Sequence, residues 1–148
     1  MKILALDIAT QTGFCDHESF GTWKLTAKKN EHKDIRLVKL FCEMREKLQW
    51  GEYDLVVYER AAGFHKNALI VESELIGVIK YVCQALDTPY EAISAKEIKK
   101  HVTGNGNAKK QDIMDAVIAK YNMMPNNYDE ADAIAMYFCA MEKFVKNV

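Results

Sequence analysis

Two apolar runs in this sequence, KILALD and DLVVYE, each end in an acid, Asp7 and Glu59, and a further pair, Asp129 and Asp132, opens the last helical stretch. A carboxylate at the end of a buried run is costly unless it is neutralised, hydrogen-bonded or bound to a cation. The i, i+3 spacing of Asp129 and Asp132 puts both on one face of a first helical turn. Ala131, Ala133 and Ala135 are small enough to let that turn press against a sheet, which would bring Asp132 toward Asp7. The four acids form an all-oxygen set with no Cys or His attached, and hard oxygen ligands suit magnesium or manganese rather than zinc. Carboxylates around two such ions, roughly 4 Å apart, stabilise the attacking and leaving oxygens of a phosphodiester displacement. Plainer roles stay open for each acid taken alone. Asp7 can close the junction of strand and turn through backbone hydrogen bonds. Asp129 can be the N-cap, with both acids complementing the positive helix end.

Cationic groups gather at a second place. Lys99, Lys100, Lys109 and Lys110 surround the turn Thr103-Gly104-Asn105-Gly106-Asn107. The spacing is not that of a P-loop. Gly104 and Gly106 could present backbone N–H groups to a phosphate backbone, or could simply cap helix ends. Lys28, Lys29, Lys33 and Arg36 read as a solvated charge run with at most a peripheral phosphate role. Phe64, five residues past Glu59, could stack on an unpaired base, which contributes about 1 to 3 kcal/mol, or close the edge of the core. The histidines show no pattern, although His101 lies beside the lysines.

The elements that must position these groups follow from periodicity. Ile3–Leu6 is a fully apolar run, as in a central strand covered on both faces. A tight Thr10–Gly13 turn leads to strands at Phe14–Asp16 and Phe20–Thr26. Leu37, Val38, Phe41, Met44 and Leu48 are spaced as in an amphipathic helix over Ile35–Leu48 that stops at Gly51. Asp54–Glu59 is a second buried strand, followed by a loop over Ala61–Asn67. Ala68–Leu86 is a helix apolar almost all round, more than one side of a sheet can cover, which suggests that it meets its own copy in a symmetric pair. Tyr90–Ile93 is a short strand. Ser94 caps a helix over Ala95–Val102 with Glu97 at the capping-box position, and helices over Lys109–Tyr121 and Asp129–Val145 complete the chain. The order describes an α/β fold, a mixed sheet covered on both faces, with ligand chemistry at the carboxyl ends of its parallel strands.

At 148 residues the chain is of the size of one domain, 1–148, with a core that needs no disulfides. Cys15, Cys42, Cys83 and Cys139 are widely spaced in apolar surroundings, which argues against a zinc site or a redox motif and for reduced, buried thiols in a cytoplasmic protein. No apolar run approaches a bilayer-spanning length. The formal charge of −1 hides segregation: basic residues dominate Lys24–Lys47 and Lys96–Lys120. Cations held by the acids would turn the balance positive, as a polyanionic partner requires.

The motifs ILALDIATQTGF, VVYER, KKHVTGNGNAKKQDI and DEADAIAM, taken in order along nearly the whole chain, resemble the RuvC family of Holliday-junction resolvases in the ribonuclease H-like superfamily. The resemblance implies a five-stranded ribonuclease H-like sheet, with Asp7, Glu59, Asp129 and Asp132 as metal-binding catalytic acids for Mg2+ or Mn2+, two ions per site. It implies a homodimer paired through helix 68–86 that nicks two strands of a DNA four-way junction symmetrically, leaving 5'-phosphate and 3'-hydroxyl ends. It also makes Lys99 and Lys110 the DNA contacts nearest the scissile phosphate. The family commonly has Pro-Gly after the first acid, where this chain has Ile8-Ala9-Thr10, as in viral or diverged members. Two other classes compete. DIATQTG also resembles the phosphate-binding turn of the actin and sugar-kinase group, and a junction-binding protein that does not cut would keep the DNA-binding surface.

Overall fold

The computed structural model describes residues 1–63 and 65–145. In chain order the elements are β1 (Ile3–Asp7), β2 (Gln11–Cys15), β3 (Phe20–Lys24), α1 (Ile35–Gly51), β4 (Leu55–Glu59), α2 (Lys66–Ala85), β5 (Tyr90–Ile93), α3 (Ala95–Thr103), α4 (Lys110–Tyr121) and α5 (Tyr128–Ala140), with a π-helical turn at Met141–Val145. The five strands form one mixed sheet in the order β3-β2-β1-β4-β5. β1 pairs antiparallel with β2 and parallel with β4, and β5 continues the parallel half.

Both faces are covered, and strand parity decides which side each residue joins. Leu4, Leu6, Val56 and Tyr58 pack with Leu40, Met44, Leu75 and Ile79 of α1 and α2. Ile3, Ala5, Leu55 and Val57 pack on the other face with residues of α3, α4 and α5, including Ile98, Ile113 and Ile134. Since side chains alternate along a strand, Asp7 follows Ile3 and Ala5, and Glu59 follows Leu55 and Val57, onto the α5 side. The parallel register pairs Ala5 with Val57 and Leu6 with Tyr58. One more step sets Asp7 beside Glu59.

Helix ends are set locally. Ser94 accepts a hydrogen bond from the Glu97 N–H, starting α3. Gly104 in the left-handed region ends it and donates its N–H to the Lys100 carbonyl. Asn122, also left-handed, ends α4, and Asn127 caps α5 by accepting from the Glu130 N–H.

Several expectations need correction. The Thr10–Gly13 stretch is not the turn. The chain reverses earlier, closed by the Thr12 hydroxyl, which donates to the Ala9 carbonyl at 2.7 Å, and Gln11 already pairs with Lys24 in β3. Gly13 is therefore a strand residue, paired with Asp7 on one side and Thr22 on the other. Its absent side chain suggested a turn, but what it allows is a close approach by α5. Cys42 is exposed rather than buried, because it sits on the outer face of α1. The last helix changes to a π-helical turn after Ala140. Asp129 is not the N-cap of α5, since Asn127 occupies that position. Among the described residues no helix is long and apolar enough to cross a membrane.

Candidate active site

Asp7, Glu59, Asp129 and Asp132 line one cleft of about 540 Å³ together with Lys99, Lys109 and Lys110. Asp7 comes from the end of β1 and Glu59 from the end of β4, while the first turns of α5 supply the two aspartates. α5 reaches this position because β2 has no side chain in its path: a Cβ at Gly13 would stand 2.5 Å from the Asp129 carbonyl carbon and 3.1 Å from the Glu130 nitrogen.

The helix end is also anchored by a polar network. Glu130, next to Asp129, is buried. Its carboxylate accepts from the Thr22 hydroxyl of β3 at 2.8 Å and from both the backbone and side-chain nitrogens of Asn126 at 3.0 Å. The Asn127 side chain donates to the Thr22 hydroxyl at 3.1 Å. The two Thr22 contacts tie the start of α5 to the hairpin, and the Asn126 bonds fix the loop that leads into the helix. In sequence Glu130 is indistinguishable from its acidic neighbours, but in the fold it serves to hold them in place. Gly13 and Glu130 are the residues that sequence reasoning missed, and only the mismatch of a glycine inside a β-pattern hinted at either.

The acids disturb one another. Burial pushes the Asp7 carboxyl well above its ordinary range, and repulsion from Asp132, Glu59 and Asp129 adds to this, partly relieved by Lys110. Glu59 is pushed up to about 7, first by burial and then by Asp132 and Glu72, with Lys99 opposing. Burial lifts Asp132 to about 6 against the pull of Lys110 and Lys99. Asp129 is raised by burial and held back by Lys110. Lys99 thus compensates Glu59 and Asp132, and Lys110 compensates Asp7, Asp129 and Asp132.

The donor set fits a hard divalent cation. It is all oxygen, its ionised form is under-compensated by two lysines, and a cation would offset the burial and mutual repulsion that raise these carboxyls. Among the described residues no three of these side chains are yet grouped tightly enough to ligate one ion as they stand. Ile98, Ile113 and Met136 form an apolar part of the lining, which strengthens any charge interaction made there.

Of the other residues singled out in the sequence, Lys109 lines the cleft while Lys100, Gly104 and Gly106 do not. The Gly104 N–H is used by the helix cap, and Gly106 gives room to the Lys96 side chain, whose Cγ would lie 2.8 Å from a Cβ there. Phe64 lies outside the described residues.

A family model described as crossover junction endodeoxyribonuclease RuvC matches residues 22–140. The chain belongs to the RuvC family. Membership decides against reading DIATQTG as the phosphate-binding turn of the actin and sugar-kinase group. A RuvC from Bifidobacterium animalis subsp. lactis is 29% identical over 113 residues, covering 74% of this chain and 58% of that protein. A RuvC from Prochlorococcus marinus is 27% identical over 113 residues, covering 75% and 71%. The match thus spans less than two thirds of the Bifidobacterium relative. Among solved structures, Thermus thermophilus RuvC superposes with a TM-score of 0.82 at 16% identity, covering 99% of this chain and 97% of that one. The same Thermus protein in complex with Holliday junction substrate gives 0.80 at 17% identity, covering 94% and 92%. At these identities the structural likeness establishes the RuvC, ribonuclease H-like fold.

Proposed function

We propose that this RuvC-family chain is a structure-selective DNA endonuclease that resolves four-way junctions by metal-dependent phosphodiester hydrolysis. The observation that carries this reading is the convergence of Asp7, Glu59, Asp129 and Asp132 on one cleft bracketed by Lys99, Lys109 and Lys110. In this reading the four carboxylates hold Mg2+ or Mn2+, two ions per site. Bound there, the ions supply the Lewis acidity that the displacement needs.

The chain's own residues do the rest. Lys110 and Lys99 set positive charge on either side of the acids, where the oxygens of the scissile phosphate must enter against carboxylate repulsion. Ile98, Ile113 and Met136 keep that approach in low dielectric. Lys109 continues the positive rim, and Lys100 with the Gly104–Gly106 turn would meet backbone further along the strand. Phe64 is proposed to stack on a base at the junction centre.

Symmetric cutting needs two sites related by a two-fold axis. The outer face of α2 supports a homodimer through this helix: Ile70 and Tyr81 are 46% and 65% exposed, and Gly77 between them faces open space. Val38 of α1, also exposed, and Phe41, whose ring lies 6.3 Å from that of Tyr81, extend the apolar surface.

The test is incubation with a labelled four-way junction, a Y-junction and plain duplex in Mg2+ and in Mn2+, with sedimentation to count protomers. Paired nicks across the junction, bearing 5'-phosphate ends, are expected. Tight junction binding without nicks in either metal would favour the non-cutting alternative, and binding no tighter than to duplex would sink the reading.

A further inference from the structure

A second cleft adjoins the acid cleft. Ile8 and Thr10 from the β1–β2 turn, Arg36 from the start of α1, and Asn67, Val71 and Glu72 from α2 line it. Ala9 lines both clefts, so the two share a wall. Glu72 is felt by Glu59, which places this second cleft on the β4 side of the acids.

Arg36 is the anomaly in it. Lys28, Lys29 and Lys33 of the same basic run are exposed, but Arg36 is half-buried, and its Nε is buried without a hydrogen-bond partner. Among the described residues no ion pair includes it, and Glu72 shares the lining without pairing with it. A guanidinium carries five donors in a rigid fork and is never deprotonated. Its Nε, buried in a lining that includes Ile8 and Val71, has no partner in the fold. The Thr10 hydroxyl and the Asn67 amide add neutral donors to the same lining.

We infer that Arg36, Thr10 and Asn67 form a subsite for a backbone phosphate of the cleaved DNA strand, one or more nucleotides beyond the scissile position. The inference rests on the junction-nuclease reading. It adds a strand path that leaves the acid cleft over Ala9, on the side away from Lys109 and Lys110. The planar fork matches phosphate geometry, and the shared wall at Ala9 points to a neighbour of the scissile phosphate as the anion.

The test is junction binding by fluorescence anisotropy, without divalent metal, across a KCl series, for the unsubstituted chain and for Arg36→Gln, Arg36→Lys and Asn67→Asp. Each phosphate contact contributes about 0.9 to the slope of log K against log salt. Arg36→Gln is expected to flatten the slope by about that amount and weaken binding by about tenfold. Its melting temperature should stay level or rise, since an unpaired charge has been removed. Arg36→Lys should keep the slope and lose part of the affinity. Asn67→Asp, at an exposed position in the first turn of α2 where an acid favours the helix, should fold normally and bind more weakly. An unchanged slope and affinity in Arg36→Gln and Asn67→Asp, with the unsubstituted chain binding, overturns the subsite alone. A lowered melting temperature with unaltered binding makes Arg36 structural and also overturns it. No junction binding by the unsubstituted chain removes the nuclease reading and the subsite with it.

Discussion

Gly13 of β2 lies under the backbone of Asp129. A side chain there would meet the Asp129 carbonyl group, with only 2.5 Å to its carbon. The obstacle is backbone, not the end of a flexible side chain, so the start of α5 must move. Gly13→Ala is expected to destabilise the fold by about 1 to 3 kcal/mol, the usual cost of overpacking, and to displace Asp129 and Asp132 from Asp7. Denaturant unfolding measures the first effect. The second appears as loss of the rise in melting temperature with Mn2+, and a full Mn2+ response in this variant would separate Gly13 from the site.

Burial and its acidic neighbours hold the Asp7 carboxyl well above the ordinary carboxylate range, so its ionised form is disfavoured in the metal-free fold. Asp7→Asn removes that charge while keeping the shape. Cleavage should fall by about a thousandfold, consistent with several kcal/mol of lost charge stabilisation. Junction binding in EDTA should persist, and the metal-free melting temperature should rise. Retained nicking in Mg2+ would count against the site.

The same shifts fix the pH dependence. Glu59 at about 7 and Asp132 at about 6 lie above the values near 4 of an unfolded chain. The folded state therefore binds more protons, and stability falls as pH rises through the interval between these values. Metal-free protein should be more stable near pH 5 than near pH 8, and Mg2+ should narrow the difference. Cleavage should rise with pH along the same limb, because the carboxylates must ionise to hold metal. Lys110→Gln should move that limb upward, since Lys110 opposes the upward shifts of Asp7, Asp129 and Asp132. A pH-independent metal-free melting temperature would contradict the crowding.

Asp16 behaves oppositely. Burial alone would raise it, but hydrogen bonds from Lys47, from the Tyr53 hydroxyl and from the Glu18 and Ser19 N–H groups outweigh that and hold it at about 2. Lys47 donates at 2.7 Å and the two backbone groups at 2.8 Å. The stability it contributes is present above the ordinary carboxylate range and is lost as pH falls toward 2. Asp16→Ala should cost about 3 kcal/mol by leaving Lys47 and Tyr53 without their acceptor. The loss should be indifferent to divalent metal, which distinguishes it from every change in the acid cleft.

Much of this protein was legible in one dimension. Apolar runs marked β1 and β4 as central strands, and an acid at the end of each pointed to one edge of the sheet. The i, i+3 pair in α5 was visible as a shared face. These follow because periodicity records which side chains a helix or strand must bury. What a charged group does once buried is decided by partners far along the chain. Glu130 takes its hydrogen bond from Thr22, 108 positions away, and becomes an anchor, while Asp129 beside it faces the cleft. Gly13 looked like a turn residue until α5 was seen to press on it. Gly104 looked available to phosphate until its N–H closed a helix. Arg36 looked solvated until the packing of α1 against the β1–β2 turn half-buried it. The local pattern determined the elements and the candidates, and the tertiary structure alone decided which of them are satisfied internally and which are left to meet a ligand, because a hydrogen bond or an ion pair is settled by distance in space and not by distance in sequence.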